Sequence, residues 1–485
     1  MIHRDTIFKI LGSLLFIEVA IMLACFAMAI GFGEDDEMPF AISIVLTLLT
    51  GIVLRYLGRH SDNTMSRRDA YLVVSLSWVI FSLFGTLPFV ISGYIPSFTD
   101  AYFETMSGFT TTGATILDNV DALPHGLLFW RSMTQWIGGL GIVFFTTAIL
   151  PSFVGGSVKV FAAEAPGPIS SKLHPRLSTS AKWIWTVYFL LTLTCVLSFM
   201  AFGMGWFDSL NYAMGSTATG GFSTHNNSAE FFRSPAIEYV ATLFCFLSGA
   251  NFTLLYTTAL RRSLKPMWKN AEFKFYLFVV LAFTLFIMVE LMLYNGYDVE
   301  KAFRCGIFQV VSFITTTGLF NDDAAKWPHV TWVVLATCMF LGACSGSTSG
   351  GFKSIRSLMI IKIIRNEFKQ ILHPNAVLPM HIDGASISQQ KRITLLAFLA
   401  VYLMLCLVAS FIIIEAGVDN TNAITIVLSS IGNVGPTLGI EIGPTMSWSM
   451  LPAGIKWLCS ALMLIGRLEI FTILVIFTPA FWKDS

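Results

Sequence analysis

The sequence predicts an all-α polytopic membrane protein, and three observations carry that prediction. Of its 485 residues, 55% are hydrophobic and 12% are charged, whereas a soluble domain carries about 25% charged residues. Long apolar runs alternate with short ones, and the short runs end in hydroxyls and glycine. Basic residues gather in every second loop. Together these describe an N-terminal helical hairpin plus four helix–re-entrant loop–helix repeats around one pseudo-four-fold pore.

A spanning helix needs roughly 20 apolar residues. Runs at about 7–32 and 39–58 have no short run between them, so residues 1–68 form an extra transmembrane hairpin. The first run is long for the apolar part of a cleavable signal and lacks a clear cleavage site, so it reads as a membrane helix. Pore repeat 1 covers 69–152, and a cytoplasmic linker follows at 153–180. Repeat 2 covers 181–262, and repeat 3 covers 271–365 with an interrupted last helix. A second cytoplasmic linker, 366–390, leads to repeat 4 at 391–485. The outer runs lie near 70–94 and 126–150, 181–205 and 235–260, 274–295 and 330–364, and 393–416 and 450–481. This makes ten spanning helices and four short re-entrant ones. A segment too short to cross survives in a bilayer only when it is buried in protein or lines water.

Charge sets the orientation. Arg55, Arg59, Arg67 and Arg68 precede repeat 1, Lys159, Lys172, Arg176 and Lys182 follow it, and Arg261, Arg262, Lys265 and Lys269 follow repeat 2. Arg356, Lys362, Arg365, Lys369, Lys391 and Arg392 lie between repeats 3 and 4. The positive-inside rule makes these loops and both termini cytoplasmic. The opposite loops carry Glu34 to Glu37, Asp118, Asp121, Asp322 and Asp323, an acidic rim that would concentrate cations. The eight cysteines all fall in apolar runs without a CxxC pair and read as buried small hydrophobes. His174, His373 and His381 lack metal-ligand spacing and read as solvated loop histidines.

The short runs end in Thr110-Thr111-Thr112-Gly113, Ser216-Thr217-Ala218-Thr219-Gly220, Thr315-Thr316-Thr317-Gly318 and the divergent Gly432-Asn433-Val434-Gly435. Glycines 113, 220, 318 and 435 are 107, 98 and 117 residues apart, a repeat of whole modules. A dehydrated cation needs oxygens to replace its water shell, and rings of backbone carbonyls supply them in potassium filters. A stiff threonine run holds successive carbonyls along an axis, and glycine tolerates the positive φ that turns one inward. The candidate filter is therefore Thr111, Thr112 and Gly113; Ala218, Thr219 and Gly220; Thr316, Thr317 and Gly318; Asn433, Val434 and Gly435. The fourth loop lacks threonine, so the ring is not strictly four-fold.

Residues Trp130-Arg131-Ser132-Met133-Thr134-Gln135-Trp136-Ile137-Gly138-Gly139-Leu140-Gly141, 164–168 (EAPGP), 172–176 (KLHPR), Gly342 to Lys353 (GACSGSTSGGFK) and Gly466-Arg467-Leu468-Glu469 carry a resemblance. On these stretches, spread over nearly the whole chain, the sequence resembles the TrkH-type membrane subunits of the Trk/Ktr/HKT family of potassium transporters. The resemblance implies a homodimer in the bacterial inner membrane, with a pseudo-four-fold pore in each subunit. It also implies a cytosolic TrkA-type ring of nucleotide-binding regulatory domains on the inner face. Potassium is then the transported ion, with no organic cofactor in this chain, membrane lipid around it and no nucleic acid. In that family a glycine in all four repeats goes with potassium preference, and a serine in the first with sodium tolerance in some plant members.

Residues 330–364 would be about 50 Å long as one helix at 1.5 Å per residue. Their middle holds Gly342, Ser345, Gly346, Ser347, Thr348, Ser349, Gly350 and Gly351, and each glycine costs a helix roughly 1 kcal/mol relative to alanine. Unwinding there points to an ion path, and a packed kink is the other reading. The resemblance implies a mobile loop that blocks the pore, a gate to which Lys353 and Arg467 also belong. Lys353 either tethers this loop or snorkels. Arg467 lies mid-run, where a charge costs at least roughly 2.5–3.5 kcal/mol. Residues two apart do not face each other on a helix, so Glu469 cannot compensate it there. Arg467 therefore pairs elsewhere, with Glu290 or Glu415 as candidates, or places its charge in a cavity below the filter.

The expected function is channel-like potassium uptake gated by that loop and by the cytosolic ring. The alternative is a secondary transporter coupling potassium entry to protons or sodium. Such transporters often use inverted repeats and midplane acids, whereas these repeats run in parallel without an Asp/Glu pair. No HExxH, GxSxG or carboxylate dyad stands in a setting suited to catalysis, so the chain is not expected to be an enzyme.

Overall fold

A computed structural model describes residues 2–62, 64–141, 177–376 and 378–483. The stretches 164–168 and 172–176, most of the 153–180 linker and the end of the 126–150 run lie outside the described residues. The described residues are mainly helical. Helices α1 (Arg4–Phe32) and α2 (Glu37–Leu57) form the N-terminal hairpin. Gly12, Gly51 and Gly58 let their backbones approach so closely that a Cβ at Gly12 would stand 2.7 Å from the Gly51 carbonyl, the small-residue packing expected between membrane helices.

Each repeat contributes an outer helix, a short inner helix and a second outer helix. Repeat 1 has α3 (Arg67–Gly85), continued by α4 (Leu87–Ser92), then α5 (Phe98–Phe109) and α6 (His125–Gly139). Repeat 2 has α7 (Leu177–Ala201), α8 (Trp206–Ala218) and α9 (Pro235–Ser248) followed by α10 (Phe252–Arg261). Repeat 3 has α11 (Ala271–Tyr294), α12 (Val299–Ile314) and α13 (His329–Leu341) followed by α14 (Ser354–Leu372). Repeat 4 has α15 (Gln389–Glu415), α16 (Asn420–Gly432) and α17 (Ala453–Arg467) followed by α18 (Phe471–Leu474).

Side chains start three of the inner helices. Ser97 accepts from the Asp100 N–H, Asp298 from Lys301, and Asp419 from Thr421 and Asn422, which satisfies donors that a helix start leaves free. From Ala101 to Phe109 every residue of α5 is buried. A helix so short can be buried on all sides because other helices, not lipid, surround it. The packing closes in a circle: α6 meets α8, α9 meets α12, α13 meets α16, and α17 returns to α5. That closure is the pseudo-four-fold arrangement.

One expectation changes. Among the described residues, six helices are long and apolar enough to cross a membrane, and the bent pairs α9–α10 (101°) and α17 with 471–477 (107°) bring the number to eight at most. Ten spanning runs were expected, with only the last one of repeat 3 interrupted, and the second outer run of repeat 1 lies partly outside the described residues. In fact the second outer run breaks in repeats 2, 3 and 4. In repeat 2 the break is at Gly249 to Asn251, where Asn251 accepts from the Leu254 N–H and starts a new helix. In repeat 4 it follows Arg467, where Glu469 and Ile470 take φ of 58° and 46°. The 366–390 linker contains regular structure. It carries a two-stranded hairpin, β1 (His381–Ile382) and β2 (Ala385–Ser386), paired antiparallel. The eight cysteines are free, and all but Cys406 are buried.

Candidate functional site

The four inner helices end in one shared backbone pattern. Thr111, Thr219, Thr316 and Asn433 have φ of 54°, 54°, 57° and 54°. The next residue's N–H reaches back five positions: Thr112 to Ser107, Gly220 to Gly215, Thr317 to Ser312 and Val434 to Ser429, at 2.8–2.9 Å. A glycine with φ of 82°, 79°, 81° and 99° then follows at 113, 221, 318 and 435. This is the left-handed termination that satisfies free carbonyls at a helix end. Three of the left-handed residues are β-branched threonines, for which that conformation is a genuine outlier. The same left-handed strain recurs at equivalent positions of loops 1, 2 and 3.

In this backbone pattern the second loop runs one residue further on than the sequence spacing. The counterpart of Gly113 is Gly221, whereas Gly220 matches Thr112, Thr317 and Val434. The second set is therefore Thr219, Gly220 and Gly221. Ala218 is the last residue of its helix and matches Thr110. Two adjacent glycines left the sequence spacing one residue short, because only the hydrogen-bond pattern tells which of them takes positive φ.

The loops close into a ring. A Cβ built on Gly113 would overlap the Gly220 carbonyl, and one on Gly221 the Thr317 carbonyl. A Cβ on Gly318 would overlap the Val434 carbonyl, and one on Gly435 would stand 2.5 Å from the Thr112 carbonyl. Each loop's glycine thus abuts the carbonyl of the next loop, and the fourth returns to the first. Those four glycines line one face of an outer cavity of about 110 Å³, with Asp118, Arg131, His225 and Asn226 on its rim. Burial alone would lower the His225 pKa. The hydrogen bond that its Nδ1 donates to Asp121 at 2.7 Å and the Asp208 carboxylate 3.5 Å from its Nε2 outweigh burial and raise the pKa above the ordinary histidine value.

Side chains brace the ring. Gln135 Nε2 donates to the Gly220 carbonyl at 2.7 Å, and its Oε1 accepts the Phe222 N–H at 3.0 Å. Asn433 Nδ2 donates to Thr112 Oγ1 at 3.1 Å and to the Met463 carbonyl at 2.9 Å, so it joins repeat 4 to repeat 1. Hydroxyls pair within loops 1 and 3, Thr110 with Thr112 and Thr315 with Thr317, each at 2.8 Å. Glu104 and Arg131 form a buried ion pair at 2.9 Å. Glu104 also accepts from Thr115 Oγ1 and the Ile116 N–H, and Arg131 donates to the Ser223 carbonyl at 2.9 Å. Replacing Glu104 with alanine strands the guanidinium and should cost roughly 3–5 kcal/mol. The expected result is a markedly lower thermal unfolding temperature in detergent, and an unchanged one refutes it.

The loop 342–353 lies against the inner side of this ring. Gly350 N–H donates to Thr316 Oγ1 at 2.7 Å, and a Cβ there would overlap the Gly432 carbonyl. Thr348 Oγ1 donates to the Thr217 carbonyl at 3.1 Å. Arg467 donates to the Thr348 carbonyl at 2.8 Å and to the Gly138 and Gly139 carbonyls at 2.6 and 2.7 Å. Residues 348–350 are thereby tied to all four repeats. Ser345 is held by Glu272, Gly346 accepts the Phe252 N–H at 2.9 Å, Ser347 donates to Cys344, and Ser349 Oγ accepts the Ala343 N–H. Gly342, Gly346 and Gly351 have φ of 65°, 71° and 74°. Lys353 donates back to the Ser349 carbonyl, so it tethers the loop and does not snorkel. Glu469 pairs with Arg356. Glu290 lies toward the far end of α11, and Glu415 is the last residue of α15.

A family profile described as "TrkH: Cation transport protein" matches residues 36–484. The chain belongs to the TrkH family. It is 37% identical to the Trk system potassium uptake protein TrkH of Escherichia coli K12 over 491 residues, covering 99% of this chain and 100% of that protein. It is 36% identical to the protein of that name in Halomonas elongata over 479 residues, covering 98% and 99%. The crystal structure of the potassium transporter TrkH from Vibrio parahaemolyticus superposes with a TM-score of 0.89 at 33% identity, covering 99% of this chain and all of that one.

In this TrkH-family chain, sequence reasoning missed Gly221, Gln135, the Glu104–Arg131 pair and Glu272. A signal existed for the pair, since each is a lone charge in an apolar run of the same repeat. Gln135 stands in the 130–141 stretch that carries the resemblance, but an amide side chain does not announce which loop it clamps.

Proposed function

We propose that this chain conducts potassium inward across the bacterial inner membrane through the ring of four loops, with residues 342–353 as its gate. The observation that supports this most is the closed circle of glycine–carbonyl approaches, with one loop beneath it tied to all four repeats. The filter residues are then Thr111 to Gly113, Thr219 to Gly221, Thr316 to Gly318 and Asn433 to Gly435. Four helix C-termini, each carrying partial negative charge, end at this ring and favour a dehydrated cation there. Arg467 braces the gate and adds a positive charge below the filter, which shortens ion residence and favours release inward. The face bearing the basic loops is cytoplasmic. It carries the site for a nucleotide-binding regulatory ring, and two copies of the chain form the working unit.

The test is rubidium flux into liposomes containing the purified protein. Deleting Ser345 to Ser349 should raise basal flux and blunt control by the regulatory ring. A deletion protein that folds and conducts at the wild-type rate reduces the loop to a kink.

A further inference from the structure

The hairpin between repeats 3 and 4 joins two helix ends that hold the gate loop. Its turn, Asp383-Gly384, has φ of 49° and 81°, the pair of left-handed residues that a tight hairpin with an Asp-Gly turn requires. Asp383 Oδ1 accepts the Ala271 N–H and Oδ2 accepts from Asn270 Nδ2, both at 2.9 Å. Asn270 in turn caps α11 by accepting the Phe273 N–H at 2.7 Å. The next residue but one is Glu272, buried, whose Oε1 accepts the Ser345 N–H at 2.5 Å and whose Oε2 accepts from Ser345 Oγ at 3.1 Å. Met380, Ile382 and Ile387 of the hairpin and its flanks belong to the same buried cluster as Ile355, Met359 and Ile363 of α14, the helix into which the gate loop runs. Lys362 Nζ adds a hydrogen bond to the His381 carbonyl at 2.7 Å.

We propose that the hairpin and Glu272 form a latch that holds the gate loop shut, with the exposed turn Asp383 to Ser386 as the input from the basic face. This rests on the reading of 342–353 as a gate. One end of the loop is held at Ser345 through Glu272, and the other continues into α14. Asp383 orders the first turn of α11 while its hairpin shares a buried cluster and the Lys362–His381 hydrogen bond with α14, so one surface element touches both holds. A displacement of the hairpin loosens them together. Glu272 is a positioning residue, since it acts on the ion path only through the loop.

The test measures basal rubidium flux of full-length variants in liposomes without any partner. Asp383→Ala and Glu272→Ala should each raise it about tenfold, a population shift of about 1.4 kcal/mol. Glu272→Gln should stay near wild type, because its carbonyl still accepts the Ser345 N–H and its amide can donate to Ser345 Oγ. A merely structural glutamate would lower flux and stability together and would not be rescued by glutamine. Should Asp383→Ala not fold, Asn270→Asp replaces it: aspartate keeps the helix cap but sets a like charge against Asp383, and it should leak as well. If these variants conduct at the wild-type rate while the Ser345–Ser349 deletion leaks, the latch is wrong and the gate stands. If the deletion does not leak, the gate reading fails and the latch falls with it.

Discussion

Gly221→Ala should abolish potassium-selective flux, whereas Gly220→Ala should leave a conducting, selective pore with reduced throughput. At Gly221 φ is +79°, where an L-residue costs roughly 1–2 kcal/mol, and the added Cβ overlaps the Thr317 carbonyl, with its carbon 2.9 Å away. That neighbour is backbone of the adjacent loop and cannot move without opening the ring. At Gly220 the Cβ would press on the Gln135 side chain, with Oε1 at 2.6 Å. An amide can swing away, at the cost of the two hydrogen bonds by which it braces the loop, each worth about 0.5–1.5 kcal/mol net. Gly113→Ser belongs with Gly221→Ala, since its Cβ would meet the Gly220 carbonyl. A serine fits only by enlarging the ring, so potassium preference over sodium should fall. Reversal potentials in mixed potassium and sodium read all three. Equal loss at 220 and 221 removes the proposed register, and a Gly113→Ser protein that keeps its selectivity removes the filter role of these glycines.

Arg467→Ala should raise basal flux more than any latch variant, because it removes both a brace and a charge. The brace is three hydrogen bonds from a cation to carbonyls of residues 348, 138 and 139, each worth about 1.5–3 kcal/mol. The charge contributes separately. Two unit charges 8 Å apart repel by about 2 kcal/mol at an effective dielectric of 20, and by about 0.5 in water. Arg467→Lys separates the effects, because lysine keeps the charge but lacks the planar fork that reaches several carbonyls at once. If charge dominates, lysine should behave as wild type; if bracing dominates, it should leak nearly as much as alanine. An alanine variant that is both less stable and less active overturns the barrier and leaves a structural arginine. Flux and thermal unfolding measured on the same preparation decide between these.

The sequence by itself determined the membrane class, the N-terminal hairpin, the four short runs with their loops, and the interruption between Leu341 and Ser354. These rest on local quantities: the length of apolar runs, the sorting of basic residues, and glycine density in a helix. The breaks at Gly249 to Asn251 and after Arg467 were half legible, for Asn251 is a helix-starting residue inside an apolar run. They escaped notice because one polar residue in a long run is compatible with a continuous helix. Only the tertiary structure decided that Gly221 and not Gly220 faces the next loop. It alone showed that Glu104 meets Arg131, that Arg467 rests on carbonyls of repeats 1 and 3, and that Asp383 bonds to the start of α11 while Glu272 bonds to Ser345. Each of these is a contact between segments far apart in the chain. A glycine's φ or a buried charge's partner is set by whichever backbone the closing circle of helices brings against it, and no local pattern contains that neighbour.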